Sequence, residues 1–104
     1  MKKDGSWETA ALGVERRLVA LGQNIMTMEV RFTQGAIGAL HQHPHEQVTT
    51  VLNGRFRFQI NQTFHEISTG DVLMIPSSAL HGVETLEAGT LIDTFQPIRE
   101  DLLE

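Results

Sequence analysis

His41, His43 and His45 fall within eight residues, Leu40-His41-Gln42-His43-Pro44-His45-Glu46-Gln47, and His81 stands 38 positions after His43. Neutral imidazole offers a nitrogen lone pair near pH 7, which makes histidine the commonest metal-ligating side chain. On an extended strand, residues i and i+2 point to one face. His41 and His43 therefore converge, and two imidazoles on one face make a poor packed core and a good half of a metal site. Pro44 interrupts the strand, so His45 is not expected to join them, whereas Gln47 keeps the odd parity if the strand resumes in register. His65 has no partner in sequence and is assigned to the surface. A His-x-His pair occurs by chance as well, so the pair does not by itself separate a metal site from polar surface. Other chemistries are absent. There is no cysteine, which removes disulfides, zinc-thiolate sites and cysteine nucleophiles together. No Ser-His-Asp order, P-loop or Gly-x-Gly-x-x-Gly is present.

The residues that must position these ligands read as strands. Nine glycines and three prolines divide the chain into stretches of mostly 5–10 residues, too short for ordinary helices. In Met26-Thr27-Met28-Glu29-Val30-Arg31-Phe32 the even positions are apolar and the odd ones polar, and Arg55-Phe56-Arg57-Phe58-Gln59-Ile60 repeats the alternation of a half-buried strand. Nine strands are expected, near 14–21, 25–33, 37–43, 46–52, 55–60, 63–67, 72–75, 80–86 and 90–96. Asn53-Gly54 is the strongest short hairpin signal. Ile60-Asn61-Gln62-Thr63 and Leu86-Glu87-Ala88-Gly89-Thr90 read as further hairpin turns. Pro76 stops Val72-Leu73-Met74-Ile75. Asp71 reads as a turn residue, and Arg55 and Arg57 as solvent-facing. Only 98–104 suits a helical turn. The pattern predicts an all-β barrel or sandwich.

Composition bounds the function. At 104 residues one domain, 1–104, is expected. Eight Lys and Arg against thirteen Asp and Glu leave a net charge of −5, and without a basic run this argues against nucleic acid as partner. No apolar run approaches the ~20 residues of a membrane span. No apolar stretch follows Lys2 and Lys3, so no secretory leader is expected. A cytoplasmic protein acting on a small molecule or a protein is the expectation.

Wider spacings narrow this. Gly35, five residues, His41-x-His43, three residues, Gln47, six residues, Gly54 is one run; Gly70, five residues, Pro76, four residues, His81 is a second. Residues 35–54 and 70–85 thus resemble the two motifs of the cupin superfamily, G-x5-H-x-H-x3,4-E-x6-G and G-x5-P-x-G-x2-H-x3-N. The resemblance implies a cupin-type β-barrel, or jelly roll, of two antiparallel sheets. It also implies one divalent transition metal (Zn, Ni, Mn, Fe or Cu) on His41, His43, Gln47 and His81. Three positions depart from the motifs: Gln47 stands for Glu, Ser78 for Gly and Thr85 for Asn. A neutral amide in place of a carboxylate leaves the ion's full charge, which favours Lewis-acid work and weakens an iron dioxygenase reading.

Within the superfamily, His-x-His-Pro-His-Glu-Gln-Val-Thr, Gly54-Arg55-Phe56, Gly70-Asp71-Val72 and the tail Asp93-Thr94-Phe95-Gln96-Pro97-Ile98-Arg99-Glu100-Asp101 resemble the small cupins of the pectin-degradation type. The resemblance implies conversion of a 4,5-unsaturated monouronate, an acidic sugar, into its linear keto form. It casts Asp93 as proton shuttle, Arg99 as two-pronged carboxylate holder and Phe95 as pocket wall. A metal-containing sugar or small-molecule binding cupin without turnover, and an iron-dependent dioxygenase, are the alternatives. A homodimer is implied too, with the strand around Val14–Leu21 as the expected pairing edge.

Overall fold

A computed structural model describes residues 1–104. The chain forms eight strands: β1 (Glu8–Ala11), β2 (Val14–Leu21), β3 (Met26–Phe32), β4 (Ile37–His41), β5 (Glu46–Ile60), β6 (Thr63–Ser68), β7 (Val72–Ile75) and β8 (His81–Gln96). All pair antiparallel. β5 and β8 are long, bent and paired with each other on both sides of the bend, from Glu46↔Gln96 to Ile60↔His81. One sheet runs β1-β2-β3-β8-β5-β7 and uses β8 from Gly89 onward. The other runs β4-β8-β5-β6 and uses the opposite halves of the same two strands. The two sheets of the jelly roll are thus halves of one continuous ladder folded over a common core.

The alternation expected for β3 holds: Met26, Met28, Val30 and Phe32 are buried. Phe56 and Phe58 of β5 join them, with Val51, Ile75, Leu91 and Phe95. Arg55 faces out and pairs with Glu66 and Glu87, and Arg57 stands 4.3 Å over the exposed ring of Phe64. Asp71 closes its turn by accepting the Ser68 N–H at 2.9 Å.

Two expected hairpins are not hairpins. Asn53-Gly54 and Glu87-Ala88-Gly89 are the facing bends of β5 and β8, so four expected strands merge into two. Gly54 has φ +91, and a Cβ there would lie 2.7 Å from both the Ala88 carbonyl and the Gly89 Cα. The same backbone freedom that suits a tight turn here serves a bulge where two chains touch. β1 was not expected. Its residues, Glu-Thr-Ala-Ala, have little strand character. Flanking contacts hold it in place: Glu8 accepts from Arg16 at 2.8 Å, and Arg31 lies 3.8 Å over the Trp7 ring. The tail holds one 3-10 turn, Glu100–Leu102, and no helix is long and apolar enough to cross a membrane.

Candidate metal centre

The bend in β8 decides where the polar side chains meet. Its first residue, His81, pairs with His41 at the end of β4. Near its far end, in the other sheet, Asp93 and Phe95 pair with Thr49 and Gln47 of β5. His43 lies just beyond β4, which stops two residues short of the expected boundary. Its ring centroid is 5.5 Å from that of His41 and 4.9 Å from that of His81, and His41 and His81 are 4.3 Å apart. A ligand nitrogen of each lies within 4.8 Å of the others, close enough to hold a metal ion.

Hydrogen bonds set the tautomers. The Nδ1–H groups of His41 and His81 donate to the carbonyls of Ala39 and Ala79, each at 2.9 Å. A neutral ring with its proton on Nδ1 presents Nε2 as a bare acceptor. His81 is 2% exposed and its buried Nε2 has no partner. His43 faces an oxygen acceptor at both ring nitrogens, the His45 carbonyl at Nδ1 and Gln47 Oε1 at Nε2, each at 3.1 Å; a neutral ring has one N–H, so one of the two contacts is lone pair against lone pair. An orphaned buried nitrogen and two facing lone pairs are what a cation satisfies, so the donor set fits a metal. Burial, then the charges of Arg99 and His81, lowers the His43 pKa to about 4. Burial likewise lowers that of His81. Both rings are neutral, ligand-ready, at pH 7.

A single file of hydrogen bonds leads away from His43. Gln47 Nε2 donates to Thr49 Oγ1 at 3.0 Å, and the Thr49 hydroxyl donates to Asp93 Oδ1 at 2.7 Å. Burial pushes the Asp93 pKa up to about 6, against the lowering effect of the Thr49 hydrogen bond and of the nearby Gln47 amide. Arg99 is 7% exposed and lies 5.1 Å over the Phe95 ring. Its Nε and Nη2 donate to the two carboxylate oxygens of Asp101 at 3.0 and 2.8 Å. The Nε edge of the guanidinium is thus taken, and the Nη1 end is left for another anion.

His41, Gln47, His81, Asp93, Phe95 and Arg99 all line one cavity of about 400 Å³. Six of the seven residues expected at the site thus share one cavity; the seventh, His43, does not line it but has its ring 4.9 Å from that of His81. The His45 ring lies 5.4 Å from that of His43, but His45 does not join the three converging ligand nitrogens, and its Nε2–H donates to the Ile98 carbonyl at 3.2 Å. Two site residues were missed. Thr49 shares the parity of Gln47, a signal the sequence did contain. Arg16 of β2 also lines the cavity, and nothing in its local pattern marks it.

Comparison with known proteins agrees with this geometry. The cupin-domain family model matches residues 28–94. The chain is 38% identical over 99 residues to the pectin degradation protein KdgF of Dickeya dadantii (strain 3937), covering 93% of this chain and 90% of that protein. It superposes on the structure of KdgF from Halomonas sp. with a TM-score of 0.90 at 33% identity, covering 96% and 93% of the two chains. An RmlC-like cupin from Shewanella frigidimarina NCIMB 400 gives 0.89 at 31% identity, covering 95% and 89%. With the motif spacings, the two-sheet barrel and the histidine cluster in agreement, the chain belongs to the cupin superfamily, and within it resembles the small pectin-degradation proteins of the KdgF type.

Proposed function

We propose that the chain is a metal-dependent enzyme that opens the ring of a 4,5-unsaturated monouronate and tautomerises it to the linear keto acid. One observation carries this reading. The buried polar side chains, Thr85 aside, are His43, Gln47, Thr49, His81, Asp93 and Arg99; five belong to the histidine cluster or line the cavity beside it, and Thr49 is hydrogen-bonded to two of them, Gln47 and Asp93. Burying that many polar groups costs stability where they lack hydrogen-bond partners, as His81 Nε2 does, and such a concentration is what a functional site retains. The likeness to KdgF supplies the substrate class.

His41, His43, Gln47 and His81 are the proposed ligands of one divalent transition metal: Zn, Ni, Mn, Fe or Cu. When bound, the ion supplies a Lewis acid for a substrate oxygen, undiminished in charge because all four ligands are neutral. The cavity of about 400 Å³ is within the range of small-molecule pockets. Arg99, whose Nη1 is not engaged by Asp101, holds the substrate carboxylate in this reading, and it brings positive charge into a chain of net charge −5. Phe95 forms the apolar wall beneath Arg99. Asp93 handles the proton. Ring opening breaks the bond between C1 and the ring oxygen, the C1 hydroxyl gives up its proton, and C4 gains one as the C5 oxygen becomes a ketone. Nothing else is added or removed. A carboxyl whose pKa lies near 6 can take the first proton and return the second.

The test is elemental analysis of the purified protein, followed by turnover of lyase-generated unsaturated monouronate, read as loss of the double-bond absorbance. One metal per chain and turnover are expected. Stoichiometric sugar binding without turnover would support a binding cupin instead, and oxygen uptake would support the dioxygenase.

A further inference from the structure

A glutamine beside a metal has two unlike ends. Its carbonyl oxygen can bind a cation and its NH2 group cannot, and half a turn of the amide exchanges them. At position 47 the choice is made by Thr49. This residue is fully buried, 0% exposed, and sits directly opposite Asp93 in the β5–β8 ladder. A carboxylate only accepts, so the single Thr49 hydroxyl proton goes to Asp93 Oδ1 at 2.7 Å. Its lone pairs then face Gln47 Nε2 at 3.0 Å. With the NH2 end engaged, Oε1 is turned to the histidines, 3.1 Å from His43 Nε2. We infer that Thr49 is a positioning residue: the direction of its O–H holds Gln47 with the carbonyl oxygen toward the proposed ion. The orientation itself rests on these hydrogen bonds, and only its consequence for the metal rests on the function proposed above. A glutamate, the commoner residue at this motif position, has two like oxygens and needs no such orientation. The role of Thr49 is therefore tied to the presence of Gln47.

Thr49→Val keeps the shape and removes both hydrogen bonds; Thr49→Ser keeps them. In metal-free protein held in chelator, the Gln47 side-chain amide NMR signals, identified by their absence in Gln47→Glu, are expected away from the free-amide position in the wild type and in Thr49→Ser. They are expected to move in Thr49→Val. Signals that Thr49→Val leaves in place overturn the inference. Co²⁺ titration gives the second readout. Thr49→Val should weaken binding about tenfold, Thr49→Ser by no more than about twofold, and Thr49→Val added to Gln47→Glu by no more than about twofold. Equal losses with Gln47 and with Glu at that position would mean that Thr49 is merely structural, and would also overturn the inference. If Thr49→Val does not fold, Thr49→Ala carries the same expectations. A wild type that binds no Co²⁺ while its amide signals respond defeats the metal reading and leaves the orientation standing.

Discussion

Asp93 and the histidines shift their protons in opposite directions for the same reason, since burial disfavours whichever form is charged. For Asp93 the folded pKa, about 6, lies above the ordinary 3.8, so the folded chain binds that proton more tightly than the unfolded one. The contribution is complete below pH 3.8 and is lost as pH rises through about 6, on the order of 3 kcal/mol. For His43 the folded pKa falls from 6.5 to about 4, so its contribution is present above pH 6.5 and is lost as pH falls through about 4. Urea unfolding of metal-free protein separates the two. The stability of Asp93→Asn relative to wild type should rise by about 3 kcal/mol between pH 3 and 7, and a constant difference would show that Asp93 titrates normally. His81→Ala removes a strong ligand and should abolish stoichiometric metal, whereas His65→Ala should leave it intact; elemental analysis of the two variants decides. A fully loaded His81→Ala protein would remove His81 from the proposed set.

Elements carry the ligands by backbone conformations that only some residues adopt without strain. Ser78 stands where the second cupin motif has glycine and takes φ +63, the left-handed region. Its N–H donates to the His43 carbonyl at 2.8 Å, so this turn steadies a proposed ligand. A side chain in that region costs about 1–2 kcal/mol, and a glycine gives back about 0.4–1 through its freer unfolded state. Ser78→Gly should therefore stabilise the fold by about 0.5–1 kcal/mol, read from the urea midpoint at unchanged slope. At the facing bends the sign reverses. A Cβ on Gly89 would lie 2.7 Å from Gly54 Cα and closer still to the Asn53 carbonyl. Gly89→Ala should cost about 3 kcal/mol, since backbone on both sides must move. A neutral Gly89→Ala would mean that the two bends are not in contact.

At the scale of the whole molecule, the barrel leaves apolar side chains of β2 on its outside. β2 was expected to be an edge strand, yet β1 covers its first residues through Glu8↔Arg16, Thr9↔Glu15 and Ala11↔Val14. Only the second half of β2 is free on that side, and there Val19 and Leu21 are 47% and 39% exposed. An uncovered strand edge with apolar side chains invites pairing. Two copies are expected, with a light-scattering mass of twice 11.6 kDa; the mass of one chain would reject the dimer.

The strand faces, the turn at Asp71 and the convergence of His41 with His43 were legible in the sequence because each is local. Side-chain parity, proline and glycine act within a few residues, and the motif spacing from Gly35 to His81 carried the family. That locality also misled at Asn53-Gly54, where a backbone suited to a hairpin became a bulge. Whether such a pair turns back or bends depends on what lies against it, here Ala88 and Gly89. Tertiary structure alone decided that Thr49 meets Asp93 across 44 positions of sequence, that Asp101 takes the Nε edge of Arg99, and that Arg16 reaches the cavity. Each depends on strand register or on the docking of a tail. Register is settled by the joint burial of both sheets, because a slip of one residue would turn every inward side chain outward, and that is a property no short stretch of the chain contains.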